Sequence, residues 1–148
     1  MNTQEVIGAL NGLLKTTVDG AKGFRTCAED VKSASLKPVF EHAAERCDEG
    51  ARELEKEIRK LGGEPKTEGS VLGSMHRVWT DAVSTMTNMD EHAILAECER
   101  AEDVAERNYE NALGMDLPPD VKAIVTRQYA GVKQNHDRIK DLRDQTAH

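Results

Sequence analysis

Glu102 is a charged residue at a predicted core position in this sequence of 148 residues. On a helical wheel it lies within about 40° of the centre of an apolar face, where a charged side chain is not expected. Tyr109 follows seven residues later and lies on the same face, two turns away. Burying a carboxylate is costly unless the group is paired, protonated or bound to a metal ion. We therefore expect Glu102 to have a partner inside the protein.

Two hypotheses describe this partner. Gln128 and Asn135 fall near the centre of the apolar face of the last predicted helix, so the first hypothesis is a polar cluster in the core. In it Glu102 is hydrogen-bonded to Tyr109, to Gln128 or to a buried arginine, and no cofactor is needed. The second hypothesis is a metal site in which Glu102 and His136 hold iron or another divalent cation. We favour the first, because two residues are a weak signal for a metal.

The motif of a di-metal centre is missing. Such a centre in a helical bundle takes a glutamate from each of two helices and a Glu-x-x-His motif from each of the other two. The residues three positions before the helical histidines are not acidic. These histidines are His42, His76, His92 and His136, and the preceding residues are Val39, Gly73, Met89 and Lys133. Asp19 and Glu45 are predicted to lie on outer helix faces, where they offer no ligands to the core.

Neither the remaining acidic residues nor the cysteines indicate a separate site. Apart from Glu102, the carboxylates from Glu97 to Glu106 are expected on a solvent-exposed face, paired with Arg100 and Arg107. The cysteines lie on apolar faces without a Cys-x-x-Cys motif, which predicts buried free thiols. They are Cys27, Cys47 and Cys98. No phosphate-binding loop, Ser-His-Asp order or zinc-ligand spacing occurs, so the sequence favours a protein that is not an enzyme.

The composition excludes several classes of protein. Acidic residues outnumber basic residues 27 to 20, and this net charge of −7 argues against binding to nucleic acid. We expect no contact with a membrane, because no apolar run reaches about 20 residues and residues 1–6 do not resemble a signal peptide. The length fits one domain, 1–148, and only 3% of the residues are aromatic, which favours helices over sheets. We predict a soluble, cytoplasmic, all-α protein.

Apolar residues recur at alternating steps of three and four along four segments, which predicts four long helices. Asn2 or Thr3 is expected to cap the first helix, Ser35 the second and Asp90 the third, and Gly62 is expected to end the second. Short connections make the first two helices, and likewise the last two, antiparallel neighbours. The predicted helices cover residues 3–31, 36–61, 90–114 and from 116 onward.

The connection between the two hairpins, residues 62–89, is too long for a turn. Its apolar residues from Val71 to Met86 have helical spacing, which predicts a crossover helix of about 18 residues that reaches about 27 Å. The predicted architecture is a ferritin-like four-helix bundle of two antiparallel hairpins, with a short crossover helix between helices two and three.

His76 and Trp79 lie in this crossover segment and are candidates for an interaction surface. The alternative is that Trp79 only docks the helix on the bundle and His76 bonds locally. Val71, Val78 and Met89 cannot all face the bundle, and an exposed apolar remainder indicates a partner surface. We therefore predict a homodimer that uses this segment or the adjoining face of the bundle.

Two stretches of the sequence are specific enough to indicate relatives: Leu61-Gly62-Gly63-Glu64-Pro65 and His76-Arg77-Val78-Trp79. Further stretches are Lys22-Gly23-Phe24, Ala28-Glu29-Asp30, Glu53-Leu54, Gly69-Ser70, Ala93-Ile94-Leu95, Glu102-Asp103, Tyr109, Leu117-Pro118 and His136-Asp137-Arg138-Ile139. On these residues the chain resembles, over nearly its whole length, a bacterial ferritin-like four-helix-bundle family, a domain of unknown function. The resemblance implies the fold and a loose link to stress responses. The positions that it carries over are Glu102, Asp103, Tyr109 and His136.

Two functions follow as hypotheses. The first is a non-enzymatic bundle, with a stress-associated role implied by the resemblance, that acts through protein interaction or self-association. The second is a metal-binding protein or di-metal oxidoreductase of the ferritin-like kind with an incomplete ligand set. The absence of Glu-x-x-His pairs favours the first.

Overall fold

The computed structural model describes residues 1–67 and 91–146, and this part of the chain consists of four helices without a strand. The helices are α1 (Thr3–Asp30), α2 (Lys37–Lys60), α3 (Glu91–Leu113) and α4 (Pro119–Thr146). The all-α, four-helix prediction is confirmed, and the helix bounds agree to within a few residues. Most of the predicted crossover segment, with His76 and Trp79, lies outside the described residues.

The start of α1 follows the sequence prediction, and the start of α2 does not. The Asn2 side chain accepts a hydrogen bond of 2.8 Å from the Glu5 backbone N–H, and the Glu5 carboxylate accepts from the Asn2 N–H in return, which completes a capping box. Ser35 was predicted to cap α2, but Leu36 holds that position and its side chain makes no capping bond. The Ser35 hydroxyl is bonded instead to that of Ser33, at 2.9 Å.

The end of α2 depends on Gly62, as predicted. Its φ of 84° is the left-handed conformation that glycine adopts without a steric penalty. The Gly63 N–H donates to the Ile58 carbonyl at 3.0 Å, which is the long bond of a Schellman motif. A Cβ atom on Gly63 would lie 2.8 Å from the Ile7 side chain, so the chain passes directly against the start of α1.

Contacts at both ends of the bundle establish its topology. The Phe24 and Phe40 rings stack with centroids 6.4 Å apart, which places the end of α1 beside the start of α2. Cys27 and Cys98, with sulfur atoms 3.8 Å apart, place the start of α3 at this same end. At the opposite end, Asn11 of α1 donates to the Glu64 carbonyl just after α2. The end of α2 and the start of α3 therefore lie at opposite ends, as a long crossover connection requires.

The core consists of two apolar clusters. One contains Phe24, Phe40, Leu95 and Ile139, and the other contains Leu10, Leu14, Leu54 and Val125. Near the junction of these clusters, each helix places polar side chains toward the interior. This group, which we call the polar layer, consists of Thr17, Arg46, Glu102, Gln128 and Asn135.

Asp19 corrects the sequence prediction. It was expected on the outer face of the first helix, yet only 8% of its surface is exposed. Thr16, Asp19 and Gly23 form a second buried row beside the row that contains Gly20 and Phe24. The wheel assumed one apolar face per helix, whereas α1 is buried over a wider part of its circumference. Glu45 is exposed, as expected.

Two glycine substitutions test this account of the α2 terminus. Gly62→Ala should lower the free energy of unfolding by about 1 kcal/mol, because alanine is strained at positive φ. Gly12→Ala is the control, because Gly12 lies inside α1 with nothing within 4 Å of an added Cβ, and it should raise stability by up to about 1 kcal/mol. Urea unfolding measures both changes. Equal effects in the two variants would contradict the assigned role of Gly62.

Candidate functional site

Glu102 is buried in the interior face of α3, with 3% of its surface exposed. Its Oε1 atom accepts a hydrogen bond of 2.8 Å from Asn135 Nδ2 of α4. Its Oε2 atom is also buried and has no hydrogen-bond partner. One carboxylate oxygen is therefore hydrogen-bonded to a neutral amide. The other is stabilised only by the charge of nearby groups.

Arg46 of α2 supplies that charge. Arg46 and Glu102 line the same cavity of about 20 Å³, which is large enough for a single water molecule. The guanidinium Nη1 donates to the Gly131 carbonyl of α4, while its Nε is buried without a partner. A Cβ atom on Gly131 would lie 2.9 Å from Nη1, so the glycine leaves room for the guanidinium against the backbone.

Burial has the largest effect on the pKa of Glu102. Desolvation raises its pKa from 4.5 to about 7, although the charge of Arg46 and the hydrogen bond from Asn135 both act to lower it. The protonated and ionised forms are therefore both populated near neutral pH.

Tyr109 and Gln128 form a second pair, separate from Glu102. The buried Tyr109 hydroxyl donates to Gln128 Oε1 at 2.8 Å. Gln128 Nε2 in turn donates to the Glu53 carboxylate at 2.8 Å and to the Gly50 carbonyl at 3.2 Å, both on α2. The four residues of the predicted polar cluster thus form two hydrogen-bonded pairs. The half-buried Arg46 acts on Glu102 through its charge and is not hydrogen-bonded to it.

His136 lies at the seam between α3 and α4, among carboxylates. Its Nε2 atom is 2.7 Å from Asp103 and 3.6 Å from Glu99, and its Nδ1 atom is 3.3 Å from Asp137 and 3.8 Å from Glu106. We call these five residues the His136 cluster. Burial lowers the pKa of the ring, but the hydrogen bond to Asp137 and the charge of Glu106 outweigh it, so the net shift is upward.

The two metal ligands predicted from sequence, Glu102 and His136, do not belong to one group of ligand atoms. Asp103, Glu106 and His136 each offer a ligand atom, and the three atoms lie within 4.8 Å of one another. Glu102 does not belong to this group, because its carboxylate is directed to Asn135 and the central cavity. The sequence analysis had paired His136 with Glu102. In the structure, His136 contacts Asp103, the residue that follows Glu102.

Glu99 was predicted on a solvent-exposed face and is instead 8% exposed. Arg143 of α4 forms an ion pair with it, and His136 lies on its other side. Glu97 does pair with Arg100 at 2.8 Å, as expected from their spacing. The sequence did contain a signal for this group of carboxylates on α3. Residues 99, 103 and 106 are spaced four and three apart and so share one helix face.

The cysteines are free thiols, as predicted, although Cys47 is only half-buried by surface area. Cys47 lines the central cavity, and desolvation raises the pKa of its thiol to about 12. The contact with Cys27 and burial also raise the pKa of Cys98. Neither thiol forms the thiolate that nucleophilic chemistry needs at neutral pH.

A family model described as a domain of unknown function (DUF2383) matches residues 5–115, which contain α2, α3 and all but the first two residues of α1. The chain belongs to this family. A search of the curated proteins finds no match. Among the described residues, no helix combines the length and the apolar character needed to cross a membrane.

Two solved structures share the fold of this DUF2383 chain. One is a crystal structure of ferritin-like, diiron-carboxylate proteins from Bacillus anthracis str. Ames, with a TM-score of 0.72 and 18% identity over 99% of this chain and 100% of that one. The other is a dodecameric thioferritin, a bacterioferritin-related protein from Bacteroides fragilis, with a TM-score of 0.75 and 19% identity over 95% of this chain and 85% of that one. Both are similar in fold, and the predicted ferritin-like bundle is confirmed.

The residues of the bundle centre do not fit a di-iron group. Such a group needs four carboxylates and two histidines from the four helices. Among the described residues, the central cavity is lined by one carboxylate, Glu102, and by no histidine, and the guanidinium of Arg46 shares the space. A fixed positive charge beside the single carboxylate opposes the binding of further cations.

Burial of Glu102 predicts a pH dependence of stability. Its pKa is higher in the folded chain, so its contribution is fully present below about pH 4.5 and is lost as the pH rises through about 7. The loss should amount to about 3 kcal/mol between these limits. Glu102→Gln keeps an acceptor for Asn135 and does not titrate. The difference in unfolding free energy between the two proteins, followed by urea denaturation from pH 4.5 to 8, should change accordingly. A constant difference would show that Glu102 is not buried as described.

Proposed function

We propose that the protein is a non-enzymatic ferritin-like bundle that acts through protein interaction, including association with copies of itself, and not through metal oxidation. The observation that carries this proposal is the place of Arg46, whose guanidinium shares the central cavity with Glu102. Among the described residues, the central cavity therefore has one carboxylate and one fixed positive charge, which are not the donors of a di-metal site.

The physical argument concerns charge. In a di-iron carboxylate centre, four anionic carboxylates balance two metal ions of charge +2 or more. Glu102 supplies at most one negative charge, which its raised pKa reduces near neutral pH. Arg46 already offsets that charge, so bringing in two metal ions would leave a large uncompensated positive charge in a buried space.

Self-association is supported by two observations of different kinds. One of the structures similar in fold is described as dodecameric, so bundles of this shape can assemble. The sequence also places more apolar residues on the crossover segment than one bundle-facing side of a helix can take. A homodimer through this segment or the adjoining bundle face is our specific proposal.

The stress-associated role and the cytoplasmic localisation stay predictions. The first follows from the resemblance of the sequence to its relatives, and the second is an expectation from the sequence that the structure does not test. Abundance of the chain before and after stress, and its distribution on fractionation, test these two predictions.

Metal loading tests the proposed absence of a di-metal centre. Protein purified from medium rich in iron and manganese should hold fewer than two metal ions per chain, because Arg46 opposes them. It should also oxidise Fe²⁺ in air no faster than buffer does. Glu102→Gln is the control, because it removes the one carboxylate of the centre, and its metal content should equal that of the wild type. Two iron ions per chain, lost in this variant and accompanied by an oxo-bridged absorption band, would refute the proposal.

Light scattering tests the homodimer. The expected mass is twice the 16.3 kDa of one chain. Trp79 is the single tryptophan of the chain, so its fluorescence reports on the crossover segment alone. If the segment forms the interface, dilution to monomer should expose the ring and shift its emission to longer wavelength. A monomeric mass at high concentration would contradict self-association. A dimer whose tryptophan emission does not change on dilution would show that the interface lies outside the crossover segment.

A further inference from the structure

We propose that His136, Asp103 and Glu106 form a binding site for one divalent transition-metal cation at the seam between α3 and α4. This site lies outside the bundle centre, and it goes beyond the proposed function, which it neither needs nor contradicts. Its donors are one imidazole and two carboxylates, contributed by two helices of the same hairpin.

The donor atoms are already close to the separation that a metal ion requires. Each of the three residues places a ligand atom within 4.8 Å of those of the other two. Around an ion with bonds of about 2.1 Å, neighbouring ligand atoms are about 3 to 3.5 Å apart. The shortest pair, His136 Nε2 and Asp103 Oδ1, is separated by 2.7 Å. Changes of about 1 to 2 Å in the separations of the ligand atoms therefore complete the arrangement.

The surroundings of the histidine match those of metal-ligating imidazoles. A ligating ring commonly donates its second N–H to a carboxylate, which fixes the orientation of the ring. Both nitrogens of His136 face carboxylates, with Asp103 at Nε2 and Asp137 at Nδ1. If Nε2 binds the ion, Nδ1 keeps Asp137 as a partner of this kind.

The charge of the cluster favours a cation. Four carboxylates surround the single imidazole. Arg143 neutralises Glu99 but forms its other ion pair with Asp144. Within residues 1–67 and 91–146, the ion pairs of Asp103 and Glu106 are with His136 alone. A divalent cation, in place of the proton that the imidazole can carry, would bring the cluster close to neutrality.

The exposure of the ligands indicates what kind of ion fits. The Asp103 side chain is 47% exposed and that of His136 14%, so the cluster is open to solvent on one side. Water can therefore fill the remaining coordination positions. An imidazole ligand suits Zn²⁺, Fe²⁺ and similar ions, whereas Mg²⁺ and Ca²⁺ prefer sites made of oxygen ligands only.

The site is held on rigid elements. Asp103 and Glu106 are one turn apart on α3, and His136 faces them from α4. The residues next to them in sequence, Glu102 and Asn135, are joined by the buried hydrogen bond of 2.8 Å between these helices. This bond sets the register of the two helices at the height of the cluster, so that the ligands are positioned before an ion binds.

Calorimetric titration of the full chain with Zn²⁺ tests the proposal, with Mg²⁺ as the comparison ion. We expect one Zn²⁺ per chain and much weaker binding of Mg²⁺. His136→Gln and Asp103→Asn should each lower the affinity for Zn²⁺ at least tenfold, because each removes a ligand. His42→Gln, which changes an exposed histidine on α2, and His92→Gln, which changes a half-buried one on α3, are the matched controls and should bind as the wild type does.

Thermal unfolding gives an independent readout and shows that the variants are folded. Zn²⁺ at about a hundredfold excess over Kd should raise the wild-type Tm by about 5 °C or more and leave that of His136→Gln unchanged. The proposal is overturned if the wild type binds Zn²⁺ more weakly than about 1 mM, or if His136→Gln binds as tightly as the wild type. Metal loss in Glu102→Gln with retention in His136→Gln would place the ion in the centre and so refute both proposals. No zinc binding in any variant would refute only this one.

Discussion

The burial of the Glu102 carboxylate is the constraint on which the middle of this bundle depends. A carboxylate with 3% exposure is tolerated only where neighbouring groups offset part of the lost hydration, and here the hydrogen bond from Asn135 and the charge of Arg46 do so from two other helices. Arg46 is in turn bonded to the Gly131 backbone. A shift of any of these helices by one turn would break these contacts together, whereas the apolar clusters on either side would lose less. The polar layer therefore selects one register for helices whose apolar faces alone would allow several.

Two neighbouring carboxylates on α3 have opposite surroundings because of helix geometry. One residue along a helix is a rotation of about 100°, so Glu102 is directed to the interior and Asp103 to the seam with α4. Inside, the carboxylate is balanced by an arginine and protonates readily. At the seam, carboxylates outnumber the nearby positive charges and remain open to water. The bundle thus keeps a fixed positive charge in the centre and collects negative charge near the surface.

The sequence was sufficient for the fold because long apolar faces and a glycine stop are local signals. The spacing of apolar residues determined all four helices, and Gly62 marked the end of α2. The same wheel also placed Glu102 inside, but it treated each helix as having one buried face, and so it put Asp19 and Glu99 in solvent. The His136 cluster depends on which turn of α4 meets which turn of α3. A wheel describes rotation about a helix axis and carries no information on the height at which two helices meet.

The division of the polar contacts between the hairpins has a consequence for the order of folding. Glu102 with Asn135, and Tyr109 with Gln128, are pairs inside the hairpin of α3 and α4, so they involve short sequence separations. The bonds from Arg46 to Gly131 and from Gln128 to Glu53 join the two hairpins across separations of 85 and 75 residues. Because closing a long loop costs more chain entropy than closing a short one, the second hairpin can form its polar pairs first. Because α1 and α2 supply walls of the cavity around Glu102, the carboxylate has its high proton affinity only when the two hairpins are docked.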